Sequence, residues 1–495
     1  MAAIRKGKGV AAIVRSAYVL TSPILASLLV VTAPPPSGGT PIPLGINMND
    51  NVYWSQANIL SDRATTDGIY YIPDIFGAPI TAVPTANISA TTQWPNTKPT
   101  STAYFLKRMA FDGGDQIEIF WQGNFGDPHL GAADGFYTNV ATEVSRDLVN
   151  RRIVYSMPGT ARAQLFIFYW SYADGSANPP QNIVIRKVGE TGLVRPRALQ
   201  DLQRFNEIRF LKWQSYAAEI NLRNQTAWAG GTSAAPVRTI TWAGRNIVGG
   251  SDFLNERPLQ DGVPIETMVG VANAAGVNGR SSIPYNADNA YVDGVADYII
   301  DNLAAGKHWT LEVANEVWNP GYDVEKQAYN EGLALGYTGP SHGETEIALK
   351  RYADRTAEVM QRVTDRMTAK GAPAGRIIRL ISIQNAAPWQ ATTVITQLTS
   401  TGKLALIDQM AAAPYVREND SVAFPLTYTG DIDALFDSAD DNMDVVLANF
   451  ATIKGTAASS GKSMSSYEGG QHFLLSDATY MTSVHKHSRM YDLTM

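Results

Sequence analysis

Trp309-Thr310-Leu311-Glu312-Val313-Ala314-Asn315-Glu316-Val317-Trp318-Asn319 is the stretch on which the fold turns. It reads as a short buried strand that ends in a polar pair, Asn315-Glu316, with an aromatic close behind. A carboxylate at the mouth of a strand, with an amide beside it and a tryptophan after it, suits carbohydrate chemistry. Ser463-Met464-Ser465-Ser466-Tyr467-Glu468-Gly469-Gly470-Gln471-His472 answers it. There too a strand ends in a glutamate, with Tyr467 before it and two glycines after it.

Outward from these two stretches, strand and helix patterns alternate. Glu207 to Trp213 reads as a strand. Pro264 to Ala275 reads as a helix that Gly276 ends. Val277 to Ile283 is a strand closed by Pro284-Tyr285-Asn286. Val292, Val295, Ile299 and Leu303 then fall on one helical face. Beyond Glu316, a long helix is expected over 344–370, with Tyr352, Thr356, Val359, Val363 and Met367 as its inner stripe. Arg376 to Ile383 and Leu404 to Ala412 are the next strands, ending in Gln384-Asn385 and Pro414-Tyr415. Asp440-Asp441 reads as a helix start. This order implies a parallel sheet, and polar residues at successive strand ends suit a (β/α)8 barrel, the TIM-barrel class of α/β fold. Seven strands are legible, ending near Asn47, Lys212, Ile283, Asn315, Asn385, Ala412 and Glu468. An eighth unit is missing, so the sequence is a fragment, the barrel is open, or another segment closes it; the fragment is the favoured expectation.

The amino-terminal part differs. Residues 1–16 carry Arg5, Lys6, Lys8 and Arg15, and an apolar run interrupted by Pro23 follows to Ala33. Pro34-Pro35-Pro36-Ser37-Gly38-Gly39 has linker composition. Residues 1–40 read equally as a secretory leader or as an arm that docks on a virion or on other protein subunits, which makes the chain exported or virion-associated. Residues 41–84 should hold the first barrel strand and helix. Leu44 to Asp50, with Tyr53 and Trp54, would form the first rim loop. Over 85–195 the pattern becomes antiparallel: Gln116 to Trp121, Arg152 to Tyr155, Leu165 to Trp170 and Asn182 to Arg186 alternate between turn signals such as Asp112-Gly113-Gly114. This predicts an inserted antiparallel β-sandwich, and residues 196–495 complete the barrel.

The composition narrows the function. Net charge is −6 and no basic block interrupts the body of the chain, which argues against nucleic acid as a partner. No cysteine is present, which excludes disulfides and thiolate chemistry. His485 and His487 lack a third ligand nearby and read as solvated, so no metal is expected. No Gly-rich phosphate loop and no Ser-His-Asp pattern stands out, and no cofactor is expected.

The strand-end Asn315-Glu316 and Glu468 resemble the clan A retaining glycoside hydrolases. Asn206 to Trp213, Ile283 to Asp288, Val313 to Asn319 and Tyr467 to His472 are similar to a group of bacterial and phage proteins in which a β-sandwich interrupts the barrel after its first strand. The resemblance spans roughly residue 41 to the end. It implies a pair of carboxyls ~5–5.5 Å apart across the scissile bond of a polysaccharide or cell-surface glycan. Glu316 would be the acid and then the base, and Glu468 the nucleophile, which must stay ionised. Arg209 and Tyr415 would hold Glu468, Asn315 would take the sugar 2-hydroxyl, and Trp318, Trp389 and His472 would wall the subsites. The competing expectation is a virion or tail component that binds host-surface glycan without catalysis.

Overall fold

In a computed structural model of the chain, the structure describes residues 16–17, 45–48, 59–61, 69–72, 81–82, 89, 104–123, 129–131, 141–157, 159, 164–170, 181–211, 213, 239–248, 262–418, 424–473 and 475–490. The expectations for the rest of residues 1–40, and for the first rim loop at Asn49, Asp50, Tyr53 and Trp54, lie outside these.

The protein is an α/β molecule built on a parallel sheet. Seven strands follow one another in chain order: β1 (Gly45–Met48), β2 (Glu207–Phe210), β3 (Asn278–Ile283), β4 (Trp309–Val313), β5 (Ile377–Ser382), β6 (Gln409–Ala412) and β7 (Ser463–Ser466). On the far side of β1, Ser16–Ala17 pairs in parallel with Gly45 and Ile46. The sheet is curled. Flat, β2 and β7 would lie about 24 Å apart, at about 4.8 Å per step. Instead Arg209 on β2 touches Glu468 just beyond β7 at 2.6 Å, and Arg280 on β3 reaches the Ser466 carbonyl at 3.3 Å.

The central strands β3 and β4 are buried on both faces, and residue parity sorts what each face carries. On β4, Trp309, Leu311 and Val313 join the main core. The Trp309 indole lies flat over Gly279 of β3, where a Cβ would stand 2.2 Å from the ring. Its Nε1 donates to Ser281 at 3.0 Å. Glu312 has the opposite parity and points into the curl. That explains why Asn278-Gly279-Arg280-Ser281-Ser282-Ile283 is buried throughout despite its polarity: one set of its side chains faces Trp309 and the other faces charges.

Eight helices matter to the site: α1 (Pro196–Leu202), α2 (Ile265–Ala275), α3 (Asn289–Asn302), α4 (Asp323–Ala334), α5 (Gly343–Ala369), α6 (Trp389–Ser400), α7 (Ile432–Ser459) and α8 (Ala478–Lys486). Gly276 ends α2 in the left-handed conformation, at φ 68°. Asp288 caps α3 by accepting from the Tyr291 amide at 2.7 Å, a contact worth about 1 kcal/mol. Tyr352, Thr356, Val359 and Val363 of α5 are buried, and Met367 is partly so. α3 and α5 are locked in register by three ion pairs stepping four residues at a time: Asp293 with Arg362, Asp297 with Arg366 and Asp301 with Lys370.

Two expectations are corrected. The strand foreseen over 404–412 begins only at Gln409. Leu404–Leu406 forms one 3-10 turn after the left-handed Gly402, with the Leu406 amide bonded to the Lys403 carbonyl at 2.9 Å. Asp440-Asp441 lies inside α7, not at its start; Asp431 caps that helix by accepting from the Asp433 amide at 3.0 Å. Asp440 instead pairs with Arg489 at 2.9 Å.

Two antiparallel sheets interrupt the parallel one between β1 and β2. One orders Thr81–Ala82, Ile69–Ile72, Tyr104–Phe111, Gln164–Trp170 and His129–Gly131; the other orders Gln181–Lys187, Gln116–Gln122, Arg152–Ser156 and Thr142–Asp147. In the second, alternation buries Ile117, Ile119, Trp121, Ile153, Tyr155, Ile183 and Ile185. The chain enters and leaves this region through one clasp: Leu60 bridges Val194, the Ser61 amide donates to the Leu193 carbonyl at 3.0 Å, and the Arg195 amide to the Ile59 carbonyl at 2.8 Å. Among the described residues no helix is long and apolar enough to cross a membrane.

Candidate active site

The end of β4 builds the first half of the site. Ala314 and Glu316 both take left-handed backbone, at φ 58° and 51°. Neither is glycine, so each costs about 1–2 kcal/mol. The strand therefore breaks at its mouth, and the turn is held by the Asn319 amide bonding the Glu316 carbonyl at 2.9 Å. The Asn319 side chain donates to Glu316 Oε2 at 3.0 Å, and the Tyr467 hydroxyl faces Oε1 at 3.3 Å. Burial, and next the Glu468 carboxylate, push Glu316 up to about 7, so its carboxyl still carries a proton near neutral pH.

The end of β7 supplies the second half. Glu468 is 4% exposed. Arg209 Nη1 donates to its Oε1 at 2.6 Å, and the Tyr415 hydroxyl donates to its Oε2. Tyr415 is placed by a short parallel pairing that zips the loops after β6 and β7, Tyr415 with Gly470 and Val416 with Gln471. The His472 ring packs on Tyr415 with centroids 4.6 Å apart, and the His472 amide bonds the Val416 carbonyl at 2.7 Å. Burial, and next Arg417, lower the His472 pKa and favour the neutral ring.

Arg209 joins the halves. It is 3% exposed and uses its whole guanidinium. Nη1 takes Glu468, Nη2 takes Glu312 at 2.6 Å and Asn315 Oδ1 at 3.0 Å, and Nε takes Glu312 at 3.1 Å. Burial opposes its charge, but Glu312 and Glu468 more than offset it, so the arginine is held protonated. Glu312 itself would be raised by burial; Arg209 and Arg280 bring it down to about 2.

The structure thus brings Arg209, Asn315, Glu316, Tyr415, Glu468 and His472 into one connected cluster. Trp318 and Trp389 take no part in these hydrogen bonds. Trp318, two residues after Glu316, is 7% exposed and belongs to the same main core as Tyr467. Trp389, at the start of α6, stacks on His342, at the start of α5, with centroids 3.6 Å apart. His485 is half-buried, and His487 stacks on Phe436 at 4.9 Å. Sequence reasoning missed Glu312, Arg280, Ser382, Asn319 and the hydroxyl of Tyr467. A signal existed for the first two: each is a charge in the middle of a strand, with the parity that faces the interior. Chemically, the cluster couples a carboxyl that holds a proton near pH 7 to a second carboxylate clamped by two donors.

No family model matches the chain, and no curated protein matches it. Among solved structures, the GH26-CBM35 β-(1,4)-mannanase of Podospora anserina is similar over 82% of this chain and 92% of its own, at 9% identity and a TM-score of 0.18. The Escherichia coli diaminopropionate ammonia lyase in its apo form is similar over 46% of this chain and 65% of its own, at 9% identity and a TM-score of 0.11. At such scores neither likeness carries an argument about the fold or the chemistry of this protein.

Proposed function

We propose that this protein is a retaining glycoside hydrolase on a (β/α)8-type barrel, acting on a polysaccharide or surface glycan. The observation that carries the reading is the pairing of Glu316, protonated up to about pH 7, with the Glu468 carboxylate that helps keep it so. Glu316 gives its proton to the glycosidic oxygen as Glu468 attacks the anomeric carbon. The bond to the leaving sugar breaks, and a glycosyl ester forms on Glu468. Glu316, now ionised, takes a proton from water, whose oxygen attacks the same carbon and frees Glu468. Arg209 and Tyr415 fix the attacking oxygens. Asn315, itself held by Arg209 at 3.0 Å, contacts the sugar 2-hydroxyl. Trp389 with His342 offers a stacked pair for a more distant sugar. A polymeric glycan is met outside the cell, which makes this an exported or particle-borne protein.

The test is release of reducing sugar from a panel of plant, fungal and bacterial-surface polysaccharides at pH 6. Wild type is expected to act on at least one of them, and Glu468→Gln and Glu316→Gln to lose about 10²–10⁴-fold. Activity should fall as pH rises through about 7, where Glu316 loses its proton. Glycan binding without release by wild type would make this a recognition protein instead.

A further inference from the structure

Two guanidiniums, Arg209 and Arg280, are buried inside the curled sheet, yet only Arg209 is seen to reach Glu468. Among the described residues, Glu312 is the carboxylate that both touch: Arg209 through Nε and Nη2, at 3.1 and 2.6 Å, and Arg280 through Nη2, at 3.0 Å. Ser282 and Ser382 donate to its two oxygens at 3.1 and 2.7 Å. Five donors thus fix one fully buried carboxylate, on β4 and four residues before Glu316. Such a network is weak evidence of stability, because the desolvation of buried charges often cancels their attraction. The proposed reaction does, however, set the arginines a conflicting task. A positive charge that grips Glu468 also favours loss of the proton from Glu316, and Arg209 does act on Glu316 in that direction.

We propose that Glu312 is a positioning residue that aims Arg209 at Glu468 and cancels the positive charge that would otherwise strip Glu316 of its proton. As a role in catalysis this rests on the assignment of Glu316 and Glu468 above. The groups that face Glu312 are Arg209 and Glu207 from β2, Arg280 and Ser282 from β3, Ser382 from β5 and Tyr352 from α5, and Arg209 is shared with Glu468. Those that face Glu316 are Glu468, Asn319, Arg209 and Tyr467. Of the carboxyls around the two guanidiniums, Glu312 and Glu468 are the ones in direct contact with them, and burial raises the pKa of the third, Glu207. Neutralising Glu312 leaves a surplus positive charge; neutralising Arg280 leaves a surplus negative one.

The experiment is a ¹³C NMR titration of the full chain labelled at the glutamate carboxyl carbons, with the Glu316 signal assigned by its loss in Glu316→Gln. Glu312→Gln should lower the Glu316 midpoint by about one pH unit. Arg280→Gln should raise it, and the double variant should return it close to wild type. An unmoved midpoint in a folded Glu312→Gln, or shifts of the same sign in both single variants, overturns the proposal. If Glu312→Gln does not fold, Arg280→Gln decides alone: a midpoint unchanged or lowered overturns it. The titration needs no turnover. A protein that shows these shifts but hydrolyses nothing defeats the hydrolase reading and leaves the counter-charge standing, whereas hydrolysis with an unmoved midpoint does the reverse.

Discussion

Glu316 sits where three costs meet: a left-handed backbone, partial burial and a neighbouring carboxylate. Residues held in such conformations persist only when their surroundings over-determine them, and here Asn319, Tyr467 and the turn after β4 do so. The raised pKa has a consequence for stability. In the folded protein Glu316 titrates near 7, and in the unfolded chain near the ordinary 4.5. Between those values the folded state binds the extra proton, so this group's contribution is fully present below 4.5 and is lost as pH rises through 7. Glu316→Gln, which needs no proton, is therefore expected to unfold with a free energy about 1–3 kcal/mol higher than wild type at pH 8 and nearly equal at pH 4. Urea denaturation at the two pH values measures this; equal stability at pH 8 would mean that the carboxyl is not held neutral. At this scale Glu316, Glu468, Asn315 and Tyr415 stood out because each lies in the loop just after a strand, and Arg209 because it lies one residue from the end of β2. Glu312 and Arg280 carried a weaker signal, a charge inside a strand with the inward parity, and their partners follow only from the curl of the sheet. Trp318, expected as a subsite wall, is buried in the main core.

Among the elements, those with strong periodicity were read closely. The helix foreseen over 344–370 runs Gly343–Ala369, and the one closed by Gly276 runs Ile265–Ala275. The ion-pair ladder between α3 and α5 was invisible in the sequence, since its partners lie 69 residues apart. Exposed pairs of this kind add little stability individually, but their common four-residue step fixes how the two helices slide. Boundaries were harder where local turns compete with strand pairing, as at Leu404–Leu406. The antiparallel strands also begin at Ile69, ahead of the expected 85. The clasp of residues 59–61 with 193–195 suggests its own test. Replacing residues 62–192 by a short Gly-Ser turn should leave the parallel sheet folded, because the segments entering and leaving that region already meet at Leu60 and Val194. A soluble product with one cooperative thermal transition is expected; a chain that melts without cooperativity would show that the two antiparallel sheets hold the parallel one together.

For the whole molecule, the seven strands counted in sequence stand in the same order in the sheet, as expected where consecutive elements are neighbours in space. What the sequence did not reveal is how far the sheet curls, and the proposed reaction depends on that curl: it carries β2 across to β7, so that Arg209 reaches both Glu468 after β7 and Asn315 after β4. The central claim is that Glu316 and Glu468 flank one glycosidic bond. The most direct measurement is to incubate the protein with 2-deoxy-2-fluoroglycosyl fluorides of gluco, manno, galacto and xylo configuration and to map the resulting adduct by peptide mass spectrometry. A single sugar ester on Glu468, absent in Glu468→Gln and much slower to turn over in Glu316→Gln, is the predicted result. A label on another residue, or glycan hydrolysis undiminished in Glu468→Gln, would contradict it.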